Sequence, residues 1–189
     1  MGYSGMPIPD DLRPRRYPPE RTVPTSGSYI QILDRTSLHE TDDSAIWLMD
    51  VRVYASGIAF RIEGELAAHH SPPAEGQPFL KHMNLGRTQV PSSGPPIRVS
   101  ARLSGGVIVS SAWKRLSEVP DDLAQPWLDG GTFYSVERSV RSAGDYFLSP
   151  LPLQDKVALE FEYPEYGMPL ISIALDERRV RDARMHVSS

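Results

Sequence analysis

Cysteine is absent from the 189 residues, and this absence excludes several classes of protein. Without thiols the chain has no disulfide framework, no thiolate zinc site and no cysteine nucleophile. Long apolar runs are absent too, since no segment reaches the ~18 consecutive apolar residues of a membrane span. Acidic residues outnumber basic ones and give a formal net charge of −4, which argues against a general nucleic-acid binder.

The sequence also lacks the short motifs that mark common active sites. No Gly-x-Ser-x-Gly elbow occurs, and the Gly105-Gly106 pair is not part of a phosphate-binding loop. The first residues show no basic start followed by an apolar stretch, so no signal peptide is expected. We therefore expect a cytoplasmic protein without a cofactor or a catalytic activity, long enough to bury one core.

Proline is abundant, and six of the 18 prolines fall within residues 1–27. Each lacks an N–H group and biases its predecessor toward extended geometry. This composition predicts an extended arm over residues 1–27, followed by a single domain over 28–189. The middle of the arm has the basic, proline-rich character of peptides that dock in aromatic grooves. We take four of its residues as candidates for binding a partner protein: Arg13, Arg15, Arg16 and Tyr17.

The rest of the chain reads as short strands separated by Gly and Pro turns. Alternation of apolar and polar residues, the mark of a half-buried strand, is clearest over 44–54, 58–66 and 157–163. Further strands are predicted at 29–33, 97–103, 107–111, 132–140, 145–148 and 170–174. Because strands and helices do not alternate regularly, we predict an all-β fold, an antiparallel β-sandwich.

One helix is predicted, over residues 176–187. Asp176 is a suitable N-cap, and Val180, Ala183 and Val187 form a narrow apolar stripe that can dock on the sandwich. The remaining faces carry arginines that could meet an acidic partner. We take three of them as a second set of candidate partner-binding residues: Arg178, Arg179 and Arg181.

Three segments, taken in order, resemble elements of one protein family. Residues 51–60 hold a tyrosine, two residues and a glycine before an aromatic strand, 146–153 hold an aromatic residue before Pro-Leu-Pro, and 161–169 hold an aromatic-proline turn with a glycine. Together they resemble a family of small actinobacterial β-rich proteins with no assigned activity, over roughly residues 44–185. The resemblance implies a β-rich domain and transfers no catalytic residue. The chain departs from the pattern in its long 69–96 loop and at Met168.

Two features favour a ligand-binding alternative. His69, His70 and His82 lie in or beside the 69–96 loop and could together bind Zn²⁺ or Ni²⁺, although solvated loop histidines are far commoner. Aromatic side chains can stack on sugars. Trp47 follows the apolar alternation and is expected in the core, whereas Trp113 and Trp127 flank a loop and are expected to be partly exposed.

Paired glutamates suggest a hydrolase as a further form of that alternative. Glu160 and Glu162 share one face of a predicted strand, as do Glu63 and Glu65, at a spacing that suits two-carboxylate chemistry. Solvent-facing glutamates on strands are much commoner than catalytic ones. The sequence therefore favours a non-catalytic interaction or assembly module, which binds another protein or a second copy of itself, with an exposed sheet edge as one route.

Overall fold

The computed structural model of the chain describes residues 24, 27–42, 44–66, 97–111, 122, 124–136, 141–151, 156–164 and 167–187. These ranges contain nine strands and one α-helix. The strands are β1 (Tyr29–Glu40), β2 (Ser44–Tyr54), β3 (Gly57–Leu66), β4 (Arg98–Leu103), β5 (Ile108–Ser110), β6 (Trp127–Val136), β7 (Arg141–Ser149), β8 (Val157–Tyr163) and β9 (Met168–Ala174). The helix, α1, is Glu177–Val187.

The strands form two antiparallel sheets. A five-stranded sheet has the order β1-β2-β3-β7-β6, and a four-stranded sheet has the order β5-β4-β8-β9. Helix α1 contacts β1 and β2, so it covers the end of the larger sheet on its inner face. The predicted antiparallel β-sandwich with a C-terminal helix is confirmed, and the arm over 1–27 lies almost entirely outside the described residues.

Both sheets and the helix share one hydrophobic core. Phe60 and Tyr146 stack with their ring centroids 5.3 Å apart, and Phe60 meets the edge of Phe161 from the other sheet at 6.3 Å. Val180 and Ala183, on the predicted apolar stripe of α1, are buried in the same cluster. Because each fully buried large apolar side chain stabilises the fold by about 1.5–3 kcal/mol, this cluster is the main source of stability.

Strand β2 contains a β-bulge that the sequence analysis did not foresee. Met49 pairs with Arg61 and Arg52 with Ala59, so two residues of β2 oppose one residue of β3. Asp50 occupies the left-handed region with φ of +52°, a conformation that Asp tolerates better than most residues. The bulge moves the buried side chains of β2 from even to odd positions, from Ile46 and Leu48 to Val51 and Val53.

The expectation that Trp47 lies in the core was therefore wrong. Trp47 precedes the bulge, where the even-numbered residues face inward, and its own side chain lies partly exposed on the outer face. The prediction of burial assumed that all odd-numbered residues of the strand face the core. A one-residue change of phase reverses the face of every side chain on one side of it.

Several strands differ in length from those predicted. β1 continues to Glu40 rather than ending at residue 33, because it pairs with nearly the whole of β2. β6 starts at Trp127, earlier than predicted, and β7 starts at Arg141. In each case pairing with a neighbouring strand extends the element through polar residues that show little alternation.

Helix α1 is anchored at its start. The carboxylate of Asp176 accepts hydrogen bonds from the backbone N–H groups of Arg178, at 2.9 Å, and Arg179, at 3.2 Å, as an N-cap does. The guanidinium of Arg179 donates to the carbonyl oxygen of Ile32 in β1, at 2.9 Å. These contacts fix the first turn of the helix on the edge of the larger sheet.

We expect Gly57→Ala to destabilise the protein by at least about 2 kcal/mol, as overpacking of a filled core does. A Cβ at position 57 would lie 2.2 Å from the carbonyl oxygen of Leu148 and 2.7 Å from the ring of Phe147. Chemical denaturation measures the loss. Gly144→Ala is the matched control, since its Cβ would meet nothing closer than 3.4 Å; equal losses in the two variants would contradict the steric argument.

We expect the cap of α1 to make stability fall on acidification. The backbone N–H of Arg179, followed by the N–H of Arg178 and the charges of both arginines, lowers the pKa of Asp176. The stabilisation is complete above the ordinary Asp pKa and is lost as pH falls through the lowered folded value. Thermal melts of wild type and Asp176→Asn measure this loss. The difference between their melting temperatures should change below the ordinary Asp pKa, and a constant difference would contradict the cap.

Candidate functional site

Two sets of predicted site residues lie outside the described residues, and their roles stay predictions. The arm residues fall within 1–23 and the histidines within 67–96, as does the greater part of the long loop: Arg13, Arg15, Arg16, Tyr17, His69, His70 and His82. Within the described ranges, no three side chains of the metal-binding types come together to hold an ion.

The outer face of the five-stranded sheet carries an aromatic–arginine surface, which we define as Tyr29, Arg35, Trp47 and Arg52. The guanidinium carbon of Arg35 lies 4.2 Å from the centre of the Trp47 ring, and that of Arg52 lies 5.0 Å from the Tyr29 ring. Both distances are those of cation–π contacts. Tyr29 is 47% exposed, so a large aromatic side chain faces solvent at the start of β1.

The base of this surface is held by aromatic packing and by ion pairs. Tyr29 packs on the buried Tyr54 with ring centroids 5.4 Å apart, and Tyr54 meets the edge of Phe147 at 6.4 Å. Arg52 pairs with Asp50 at 3.0 Å. Because these contacts hold Tyr29 and Arg52 in place, these two side chains would lose less conformational entropy on binding a partner.

The two described tryptophans, Trp47 and Trp127, do not together offer a stacking surface for a sugar. Trp127 is 5% exposed, because it lies at the start of β6 and pairs with Ser149 of β7; the expected exposure was wrong. One face of the Trp47 ring is covered by Arg35, and Trp113 lies outside the described residues. No two indole rings of the described residues therefore offer free faces to a sugar.

The edges of both sheets are poorly suited to pairing with another strand. Among the described strands, β1, β6, β5 and β9 lie at edges. β1 contains two register shifts, β6 and β9 one each, and β5 has only three residues. Bulges and short strands are the usual protection of an edge against pairing. The structure thus favours faces over edges as binding surfaces.

The outer face of the four-stranded sheet is flat and differs from the aromatic–arginine surface. Register places Ser110, Ser100, Glu160 and Ser172 in one row across the four strands. A neighbouring row holds Ile108, Arg102, Ala158 and Ala174, and a third holds Arg98 and Glu162. We call this set the small-residue face, because serine and alanine supply most of its side chains outside the four charged positions.

Glu160 and Glu162 are each paired with an arginine of β4. Arg102 donates to Glu160 at 2.7 Å, and Arg98 donates to Glu162 at 3.0 Å. The hydroxyl of Ser100 adds a longer contact to Glu160 at 3.4 Å. Glu160 was expected to face solvent, but it is only 5% exposed. With each carboxylate held by its own arginine, the pair serves the sheet as two cross-strand ion pairs.

The three helix arginines differ in their contacts. Arg178 and Arg181 lie exposed on α1, whereas the guanidinium of Arg179 donates a hydrogen bond to the carbonyl oxygen of Ile32. Arg179 therefore has a structural contact of its own. Its neighbours stay candidates for binding a partner.

Comparison of the chain with protein-family models, with curated proteins and with solved structures gave no match. Membership of the actinobacterial family therefore stays a prediction. No helix of the described residues has the length and apolar character needed to cross a membrane. The function must accordingly be argued from the surfaces themselves.

Sequence reasoning missed both surfaces, although one signal was present. In the sequence, the apolar residues Ile46, Leu48, Val51 and Val53 are spaced by two, then by three, then by two, and the structure buries all four. This spacing marks the bulge that turns Trp47 outward. Nothing comparable marks the small-residue face. Its rows depend on which residue of β4 lies opposite which residue of β8, and a single sequence does not contain that register.

We expect Arg102→Ala to cost about 1–3 kcal/mol, because it leaves the buried carboxylate of Glu160 without its closest donor. Arg98→Ala is the matched control. It breaks an ion pair in which the arginine side chain is 59% exposed, and we expect a cost of about 0–1 kcal/mol. Urea denaturation of both variants tests the difference. A cost for Arg98→Ala as large as that for Arg102→Ala would show that burial of Glu160 is not what matters.

Proposed function

We propose that this protein is a non-catalytic interaction module that binds another protein through the aromatic–arginine surface. A single observation carries the proposal: two cation–π pairs, Tyr29 with Arg52 and Trp47 with Arg35, lie on one outer sheet face, with Tyr29 47% exposed. Trp, Tyr and Arg are the residue types that dominate binding energy at protein interfaces. The ion pairs of Glu160 and Glu162 support this reading, since an arginine neutralises each of these two carboxylates.

The charges around the surface suggest the kind of partner. Arg35 and Arg52 supply two cationic groups, and Arg52 is already paired with Asp50. Arg35 has its guanidinium over the Trp47 ring and is exposed to solvent. A partner that presents a carboxylate to Arg35 and an apolar side chain to Tyr29 would complement both groups. The arm is proposed as a second binding element, through Arg13, Arg15, Arg16 and Tyr17.

Quantitative affinity capture from host lysate tests the proposal. Tagged wild type, Arg35→Glu and a form lacking residues 1–27 are compared, after circular dichroism has shown that each is folded. We expect at least one protein to co-purify with wild type and to fall about tenfold or more with Arg35→Glu, since reversing a charge at an interface costs several kcal/mol. Loss with the shortened form would assign a role to the arm.

Met185→Ser is the matched control, because it removes an exposed apolar side chain from α1, away from the surface. It should retain every partner that wild type captures. The purified partner is then titrated against wild type and Arg35→Glu to measure the two dissociation constants. Equal constants, or turnover of a substrate by purified protein that captures no partner, would contradict the proposed function.

A further inference from the structure

We infer that the small-residue face binds a second copy of this chain, and that the two copies are related by a two-fold axis running parallel to the strands. This surface lies on the opposite side of the sandwich from the aromatic–arginine surface. The inference is therefore independent of the proposed function. It rests on the arrangement of charge over the four-stranded sheet.

The face is divided into a basic half and an acidic half. Arg98 and Arg102 lie on β4, and Glu160 and Glu162 lie on the adjacent strand β8. Each arginine forms an ion pair across the two strands, so the face carries no net charge. A neutral face without an unpaired charge can be covered by protein without the large cost of burying a lone ion.

A two-fold axis between β4 and β8, parallel to the strands, brings these halves together. Rotation about it places β4 of one copy over β8 of the second copy, and the reverse. Arg98, which is level with Glu162 in the register, then lies over Glu162 of the second copy. Ser100 lies over Glu160 of the second copy in the same way. Such self-complementarity is what a symmetric dimer requires, because both copies use the same surface.

The same two-fold rotation places the outer strand β5 of one copy over the outer strand β9 of the second copy. The residues that meet there are uncharged. Ile108 on β5 lies over Ala174 of the second copy, since both belong to one row of the register. Ile108 is 55% exposed, which is high for a large apolar side chain on a sheet face. Contact with a small alanine gives this side chain room in the interface. Neither flank brings two like charges together.

The size of the face implies a weak dimer. The four strands have six, three, seven and seven residues. At about 3.3 Å per residue and about 4.8 Å between strands, they give a footprint of roughly 360 Å² for each copy. Stable dimers bury about twice that area on each partner, so we expect a dissociation constant that is roughly micromolar or weaker. Since charge contributes, dimerisation should weaken as salt is added.

Sedimentation velocity over a concentration series tests the inference with the full chain. Wild type should show a monomer–dimer equilibrium. Arg98→Glu and Glu162→Arg, each alone, should weaken dimerisation at least about tenfold, because each places like charges over one another. An equimolar mixture of the two variants should restore the dimer, since the glutamate introduced in one variant then lies over the arginine introduced in the other. Restoration on mixing would show that the charges at positions 98 and 162 act between copies.

Two further variants complete the test. Arg61→Glu reverses a charge on the other sheet, where Arg61 pairs with Asp145 at 2.8 Å, and should leave dimerisation unchanged. Ala174→Arg puts a long cation over Ile108 of the second copy and should weaken the dimer without touching the ion pairs. A wild type that stays monomeric up to millimolar concentrations would overturn the inference. So would a dimer that both charge reversals leave intact, or a mixture that fails to restore it.

Discussion

The left-handed backbone at Asp50 decides which side chains of β2 enter the core. On its two sides the buried residues are Ile46 and Leu48, then Val51 and Val53, and the extra residue lets both pairs face the other sheet. Without the bulge, one pair would point to solvent, because strand residues alternate strictly between faces. The same change of phase turns Trp47 outward. The core and the aromatic–arginine surface therefore depend on one backbone conformation, which Asp adopts at lower cost than a β-branched residue would.

The two outer faces of the sandwich are built on different principles. On the five-stranded sheet, long side chains lie over one another, and Arg35 and Arg52 cover aromatic rings. On the four-stranded sheet, serines and alanines leave the backbone near the surface, and the charges pair across β4 and β8. Under the proposed function, the first face would offer chemically specific contacts to a different protein. The second offers a shallow, neutral area that is complementary to itself.

A dimer joined through the small-residue face would present two aromatic–arginine surfaces, one on each chain, pointing in opposite directions. A multivalent partner would therefore be held more tightly.

Much of the fold could be predicted from the sequence, and the reasons are local. Alternation over 58–66 and 157–163, glycines at the turns and the cap at Asp176 each depend on neighbouring residues, and the structure contains the corresponding strands and helix. The errors come from non-local pairing. β1 extends to Glu40 because β2 lies beside it, and Trp127 is buried because β6 begins earlier than its own residues suggest. The register between neighbouring strands is the hardest feature to predict from a single sequence. Both candidate surfaces depend on it, which is why sequence patterns pointed to the arm and the helix arginines and not to these faces.

Because the sheet edges are protected against strand pairing, the two outer faces are the surfaces left for binding. Each edge strand among the described residues is short or interrupted by a register shift, and β9 carries Pro169, which has no N–H group to donate. Under the proposed function, a chain whose described edges resist strand addition recognises its partner through side chains. Such recognition would be specific, because the partner would have to match the positions of Arg35 and Tyr29, whereas an open edge accepts any extended backbone. The same edges leave the small-residue face as the part of the four-stranded sheet on which a second copy can pack. Flat packing of that kind requires the internal charge pairing that Arg98, Arg102, Glu160 and Glu162 provide.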